Sequence, residues 1–507
     1  MLQKFLKCIA GIATAFYCVG ATAETWYVAP NGSDTLHSGT NGWTNAFQTI
    51  AKGIASADAG DLVLVSNGIY NAGISIAKGV RVQAFSANPA DTVIDAQAAG
   101  NCLTINHGDA LCAGFTLTNG RAGFGAGVLF NSLGGAVSNC IISGNLSYGY
   151  GGGGIYMTTG LVANCVIAGN VSTNYERAGG GVRMLEGELR DCIISNNIAT
   201  NCSAHMHGGG IHMQNGRIIR CDIVNNWSIN STTNLSGFGG GMSIATESTS
   251  ALVSGCVFRA NTAYSGGGGV YASGQSKTFV DCAFENNILL DAGSSGGALA
   301  ISGGANYLDR CVLSGNTAGR GGGAWVNVGV TLVMRNCLVN NNVVSGYPGG
   351  GGLLLGGSIG EAGYISGCTI VSNIAQTWHG GGIRMATQTN RIYNTIIYSN
   401  LALANPATDE IYHGVPASSN DYFNCCVSKP KLPPEAGNIT NAPVFVDFHA
   451  GNFRQAPGSP GINAGTMQDW MADASDLDGR RRLDYMTKTP DMGCYEYVFP
   501  GTMFRLH

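Results

Sequence analysis

Residues 179–226 read GGGVRMLEGELRDCIISNNIATNCSAHMHGGGIHMQNGRIIRCDIVNN, and one pattern is written twice in them. A glycine block leads into an apolar–x–apolar triplet, then a cysteine, and five residues after the cysteine an asparagine. Val182-Arg183-Met184, Cys192 and Asn197 make one copy, and Ile211-His212-Met213, Cys221 and Asn226 make the next. On either side the cysteine recurs as Cys140, Cys165, Cys256, Cys282, Cys311, Cys337 and Cys368. Asn145, Asn170, Asn261, Asn287, Asn316, Asn342 and Asn373 follow them at the same distance. Thr395 replaces the cysteine in a tenth copy that ends at Asn400. The copies are about 28 residues apart, a period that marks a solenoid whose units bury their faces only against neighbours.

Within a copy there are three apolar pulses. The first is the triplet after the glycine block, in which the outer residues are apolar. The second lies three residues before the cysteine, as at Leu189 and Ile218, and the third is the cysteine with the residue two later, as at Ile194 and Ile223. Period-two alternation of this kind belongs to short strands with one buried face. Asn139, Asn164, Asp191, Gly255, Asp281, Asn336, Gly367 and Asn394 stand just before the column, and these types tolerate a left-handed backbone at a corner. The pattern predicts an all-β coil of three short strands and three turns per repeat, pairing in parallel with the next coil. Asn amides stacked at one turn would satisfy one another as a ladder.

Composition agrees. Charged residues make up 11 % of the 507, and Gly contributes 78; that glycine share is about twice the usual one, without the three-residue period of collagen. A net charge of −4 gives no footprint for nucleic acid or an anionic membrane. Lys4 and Lys7, the apolar run Phe5 to Val19 and Ala21-Thr22-Ala23 form a secretory signal pattern, with cleavage expected after Ala23. The protein is therefore expected to be secreted or at the cell surface, with no membrane-spanning helix after the signal.

Outside the cytoplasm disulfides are permitted. Stacked strands align the Cβ vectors of the cysteine column, which disfavours the disulfide twist, so mostly free thiols are expected. Cys102 with Cys112, and Cys494 with Cys425 or Cys426, are the more plausible pairs. No C-x-x-C pair or tight Cys/His cluster is present, so neither a zinc site nor a cofactor is expected.

These repeats resemble the right-handed parallel β-helix of the pectin-lyase-like superfamily. Their Asn and glycine-block form is similar to the repeats of chlamydial polymorphic outer-membrane proteins. TWYVAPNGSD at 25–34 and WTNAFQTIAKGIASADAGDLVLVSNGIY at 43–70 resemble the N-terminal cap of such solenoids, with Phe47, Ile50 and Ile54 on one helical face. GNITNAPVFVD at 437–447, FRQAPGSPGINAG at 453–465 and DLDGRRRLDYMTKTPDMGCYEY at 476–497 are similar to the choice-of-anchor Q segment. The resemblance implies a single-stranded right-handed parallel β-helix with a short N-terminal capping helix. It divides the chain into a signal peptide at 1–23, a cap with first coils at 24–100, repeats at 101–430 and the C-terminal segment at 431–507. An outer-membrane association is compatible with it.

The same superfamily contains polysaccharide lyases and glycoside hydrolases, whose chemistry needs convergent carboxylates. Aligning the repeats instead pairs several of the acids with basic residues one coil away: Asp191 with Arg220, Glu188 with Arg217, Arg259 with Glu285 and Asp281 with Arg310. No catalytic set is recognisable. The outward residues of the glycine-block triplets form a stripe of Leu129, Tyr156, Arg183, His212, Ser243, Tyr271, Leu299, Trp325, Leu354 and Arg384. Aromatic faces with Arg or His donors suit sugar binding, whereas the plainer reading is a solvent-facing sheet with incidental aromatics. The long linkers 171–178, 198–207 and 227–238 border this stripe and add Tyr175, His205 and His207 as candidate ligand residues. His379 after Trp378 repeats the His-Gly-Gly-Gly order of His207, which makes that His a feature of the repeat. The expected function is adhesin-like binding of polysaccharide or a surface partner without catalysis. The alternative is a carbohydrate-active enzyme, a polysaccharide lyase or glycoside hydrolase, working along the outward face.

Overall fold

The computed structural model of the chain describes residues 23–131, 134–173, 178–200, 207–229, 237–357, 359–360, 362–386, 390–414, 421–429, 432–483 and 488–498. They form a parallel solenoid of about 12 turns. Each full coil has four strands, not the three expected. In one coil Val182–Met184, Glu188–Arg190, Ile193–Ser195 and Ile198–Thr200 belong in turn to sheets C, A, B and D. Sheet A has 15 strands, sheet B 14, sheet C 13 and sheet D 11. The fourth strand begins right after the column asparagine. Its inward residue is small or polar in most coils (Ser147, Ser172, Ala199, Ser228 and Ala263, all buried), so it gave no apolar pulse.

The small residues have a steric cause. The sheet-D strand folds back onto the glycine block that opened its own coil. A Cβ added to Gly180 would stand 2.6 Å from the Ile198 carbonyl carbon, and one on Gly181 only 2.9 Å from Asn197 Nδ2. Glycine block and asparagine are thus two sides of one contact that closes the coil.

The core runs the length of the solenoid. Sheet A supplies residues such as Val162 and Leu189, sheet B Ile167 and Ile194, and sheet C Ile155 and Met184, all fully buried. All fourteen described cysteines are buried free thiols. Cys102 and Cys112 are therefore not paired, nor is Cys494 bonded to Cys425 or Cys426, and the thiols are free as expected. The cysteine column extends back to Phe115 and Thr92 and continues past Thr395 to Cys425. Thr395 fits because its hydroxyl donates to the Tyr393 carbonyl at 2.7 Å, as Cys165 Sγ donates to Ala163 at 3.2 Å. Corner residues before the column, among them Asn164 (φ 54°), Asp191 (φ 53°) and Asn336 (φ 53°), are left-handed as expected, and Arg220 (φ 50°) joins them.

The asparagines form a continuous ladder. Asn145 Nδ2 donates to Asn170 Oδ1 at 2.9 Å, and the step repeats through every copy to Asn400. The backbone N–H of each donates to the same oxygen, as Asn226 does to Asn261 at 3.0 Å. The last rung is a carboxylate: Asn400 Nδ2 donates to Glu410 Oε2 at 2.7 Å, and Ser428 Oγ donates to Glu410 Oε1 at 3.0 Å. Burial pushes the Glu410 carboxyl up to about 7, against the pull of the Asn400 bonds. A raised carboxyl favours the folded state while protonated, and that contribution is lost as pH rises through about 7. Glu410→Gln keeps the acceptor oxygen and removes the titration. Thermal melts should show the wild-type midpoint falling between pH 5 and 8, roughly, and a shallower fall in the variant.

At the N-terminal end the helix Ile50–Ser56 is capped by Thr49, whose side chain accepts the Lys52 N–H at 3.2 Å. Its buried Ile50 and Ile54 pack with Phe47, Val28 and Val63. At the other end the strands Phe445–Asp447 and Asn452–Gln455 pair antiparallel. Phe453, Cys494 and Tyr495 bury against Leu338 and Val371 on the outside of sheet B. Arg482 is fully buried, pairing with Glu496 Oε1 at 3.0 Å and donating to the carbonyls of Gly493 and Asp491. No described helix is long and apolar enough to cross a membrane.

Candidate functional site

Sheet C carries the expected stripe in register, with one correction. Tyr271 pairs with Ala300 and Ala300 with Trp325, so Ala300 holds the outward position and Leu299 faces the core. The glycine block there is shorter, with Ala298 in the third place, and this misled the count. The middle of the stripe is not open to solvent. Arg183 is 8 % exposed, His212 1 % and Ser243 0 %. The Arg183 Nη1 donates to the Tyr150 carbonyl and its guanidinium lies 5.5 Å over the Tyr156 ring. His212 Nδ1 is 2.8 Å from Ser243 Oγ, and His207 is buried beside this row. Tyr175 and His205 lie outside the described residues. Sequence periodicity gave the direction of these side chains but not what covers them.

The stripe opens at its ends. Near the first end Phe124 stacks on Tyr150 at 5.1 Å and meets Tyr156 edge-on at 5.1 Å, with Tyr150 44 % exposed. Near the last end, two successive linkers from sheet D to sheet C place Tyr347 and Trp378 side by side, ring centroids 4.8 Å apart. They are 58 % and 41 % exposed. Below them the Arg384 guanidinium sits 5.7 Å from the Tyr347 ring and 5.1 Å from Tyr412, and donates to the Pro348 carbonyl at 2.9 Å. His379 stacks on Tyr412 at 4.1 Å, and burial with the nearby Arg384 charge lowers its pKa. This is an exposed aromatic platform with a guanidinium floor. Of the residues singled out from sequence, it contains Arg384; Tyr271 and Trp325 are half-buried along the approach.

Sheet A also bears concavities. A groove of about 660 Å³ is lined by Glu186, Glu188, Arg217, Leu252 and Thr278. Glu188 is engaged by Arg190 and Arg217, the latter at 3.4 Å. Asp191–Arg220, Arg259–Glu285 and Asp281–Arg310 pair at 2.7, 2.8 and 2.7 Å, so all four expected lateral pairs are present. Further along, a cleft of about 440 Å³ opens between sheet A and the C-terminal segment. There the Arg335 guanidinium is ringed by Tyr307, Tyr364 and Trp470 at 5.3, 5.1 and 4.7 Å. Arg310 bonds both Asp281 and Asp309, and burial raises the Asp309 carboxyl above its usual range. Trp470 comes from a distant segment, so no local spacing announced this cluster. It fastens the C-terminal segment to the solenoid, where Gln468 accepts from Ser366 and Trp470 Nε1 donates to Gln468 at 3.0 Å.

A solenoid of stacked parallel strands with these outer faces defines the class of protein. The model of the right-handed beta helix region matches residues 126–306 and 240–402, more than half of the chain, and the chain belongs to that family. Among solved structures it is similar to pectate lyase Pel9A, with 14 % identity over 94 % of this chain and 97 % of that one and a TM-score of 0.34. A rhamnogalacturonan lyase aligns at 12 % identity over 85 % and 92 % of the two chains, with a TM-score of 0.28. The GH136 lacto-N-biosidase from Eubacterium ramulus aligns at 8 % identity over 78 % and 67 %, also at 0.28. No curated protein sequence matches the chain.

Proposed function

We propose that the protein is a non-catalytic binding solenoid that works outside the cytoplasm, where its sheet-D-to-sheet-C corner holds a polysaccharide. The observation that carries this reading is the exposed Tyr347–Trp378 pair above Arg384. The rings meet edge to face at 74°, so one can offer its flat apolar face to the C–H side of a sugar while the other walls it, and the guanidinium supplies donors for its hydroxyls. The signal pattern ending at Ala23 supports export. The likeness of residues 437–497 to a choice-of-anchor Q segment, and of the repeats to chlamydial outer-membrane proteins, supports a place at the cell surface. Tyr156 with Tyr150 and Phe124 forms a second aromatic contact at the far end. Arg183 serves it as a buried support, over the Tyr156 ring and bonded to the Tyr150 carbonyl.

Retention of the full chain on a panel of immobilised neutral and acidic polysaccharides tests the reading. Binding without turnover is expected, weakened roughly tenfold or more by Trp378→Ala or Tyr347→Ala. New reducing ends or unsaturated products would overturn it for the enzymatic reading. Glu186 and Glu188 in the sheet-A groove would then be the first residues to replace.

A further inference from the structure

The outer face of sheet A carries a trough that the corner platform does not use. The groove lined by Glu186 and the cleft lined by Trp470 abut, because Thr278 of the first is the register partner of Tyr307 of the second. Six strands in register floor the two, from Glu188–Arg190 to Thr331–Arg335. Five inter-strand steps of ~4.8 Å make the trough ~24 Å long, the span of a chain and not of one sugar. Ser250, Ser276 and Thr278 put hydroxyl groups along its middle, with Leu252 among them. The rings of Tyr307 and Trp470 stand at one end. Five carboxylates line the trough against three guanidinium groups. Each guanidinium is already engaged: Arg217 with Glu188 at 3.4 Å, Arg310 with Asp281 and Asp309, and Arg335 among its three rings. Glu186 and Asp473, one toward each end, are exposed and pair with no cation among the described residues.

We propose that this trough binds a cationic linear glycan, a chain of amino sugars. The Glu186 and Asp473 carboxylates meet its ammonium groups in charge-assisted hydrogen bonds. The hydroxyls of Ser250, Ser276 and Thr278 both donate to and accept from ring hydroxyls, and the Trp470 ring offers an apolar face to a sugar. Charge complementarity selects this occupant. A polyuronate would set like charges against Glu186 and Asp473, with every lining guanidinium already taken. A basic peptide fits less well. Peptides that bind a sheet add to an open edge, and here every floor strand is hydrogen-bonded on both sides. The site lies on a different sheet from the Tyr347–Trp378 corner and does not depend on it.

Calorimetric titration of the full chain with a glucosamine hexamer tests this at about pH 5.5, where its amines are charged and ordinary carboxylates stay ionised. Binding is expected, roughly fivefold or more tighter than for the N-acetylated hexamer and weakened by added salt. A galacturonate hexamer should not bind. Glu186→Gln combined with Asp473→Asn should remove the preference for the amine, with circular dichroism and melting temperature unchanged. Ser276→Arg, which sets a cation on the floor, should abolish binding. In a Trp378→Ala chain the preference for the amine should persist. Its loss there would assign the hexamer to the corner platform and overturn the proposal. A wild-type chain that ignores the hexamer, or that binds the acetylated hexamer or a lysine hexamer equally well, also overturns it.

Discussion

Asn261→Ala should unfold the centre of the solenoid, with a loss of about 4 kcal/mol measured by urea denaturation. The Asn261 Oδ1 accepts both the backbone N–H and the Nδ2 of Asn226, each at 3.0 Å. Its own Nδ2 donates to the Ile223 carbonyl at 2.8 Å and to Asn287 Oδ1 at 3.0 Å. Asn261 is fully buried, so water cannot replace these partners. Removing the side chain strands two buried donors and one carbonyl, each costing roughly 1–3 kcal/mol. Asn261→Asp tests the direction of the bonds. It keeps the acceptor for Asn226 but puts a second acceptor against the Ile223 carbonyl and Asn287 Oδ1. Its destabilisation should be comparable at neutral pH and ease in acid. A variant of wild-type stability at either residue would show that the ladder is incidental.

Gly240→Ala should be the more damaging change, although it adds a single methyl group. The new Cβ would lie 2.4 Å from the Gly268 carbonyl oxygen and 2.5 Å from the Thr262 carbonyl carbon. Both obstacles are backbone, one in the next coil and one in the returning sheet-D strand, so no side chain can turn aside. Overpacking of a core by one methylene costs typically about 1–3 kcal/mol. A clash against two fixed backbones should exceed that, leaving little or no folded full-length protein on expression. Gly169→Ala is the control, because nothing lies within 4 Å of its Cβ position. Only its left-handed backbone, φ 65°, opposes the change, and a far smaller loss is expected.

These two residues also show how much was legible in the sequence. The cysteine column, the Asn ladder, the left-handed corners and the lateral ion pairs all follow from spacing, because stacking in register copies each position onto the next. The fourth strand escaped because its inward residues are mostly Ser and Ala, small residues that give no apolar pulse. Without that strand the glycine blocks looked like turns; with it they are the surface the strand lies on. The candidate site was half legible. Arg384 and its neighbours Trp378 and His379 were in view. Their partner Tyr347 comes from the previous linker, whose fold no repeat position dictates. Arg183 and His212 have the right direction but are buried, and burial from outside the sheet is not written in the repeat spacing. Glu410 was missed because it lies in a linker beyond the last asparagine and stands in for an amide.

That carboxylate gives the molecule a form of punctuation. Every amide in the row hands its hydrogen to the coil ahead, so the row has a head and a tail, and any coil in it can be followed by another of the same kind. A residue that accepts without passing anything on closes it. Glu410 is such a full stop. The number of coils before it is therefore not fixed by the chemistry of the row, and a chain of this kind can lengthen or shorten by whole coils while its ending stays the same.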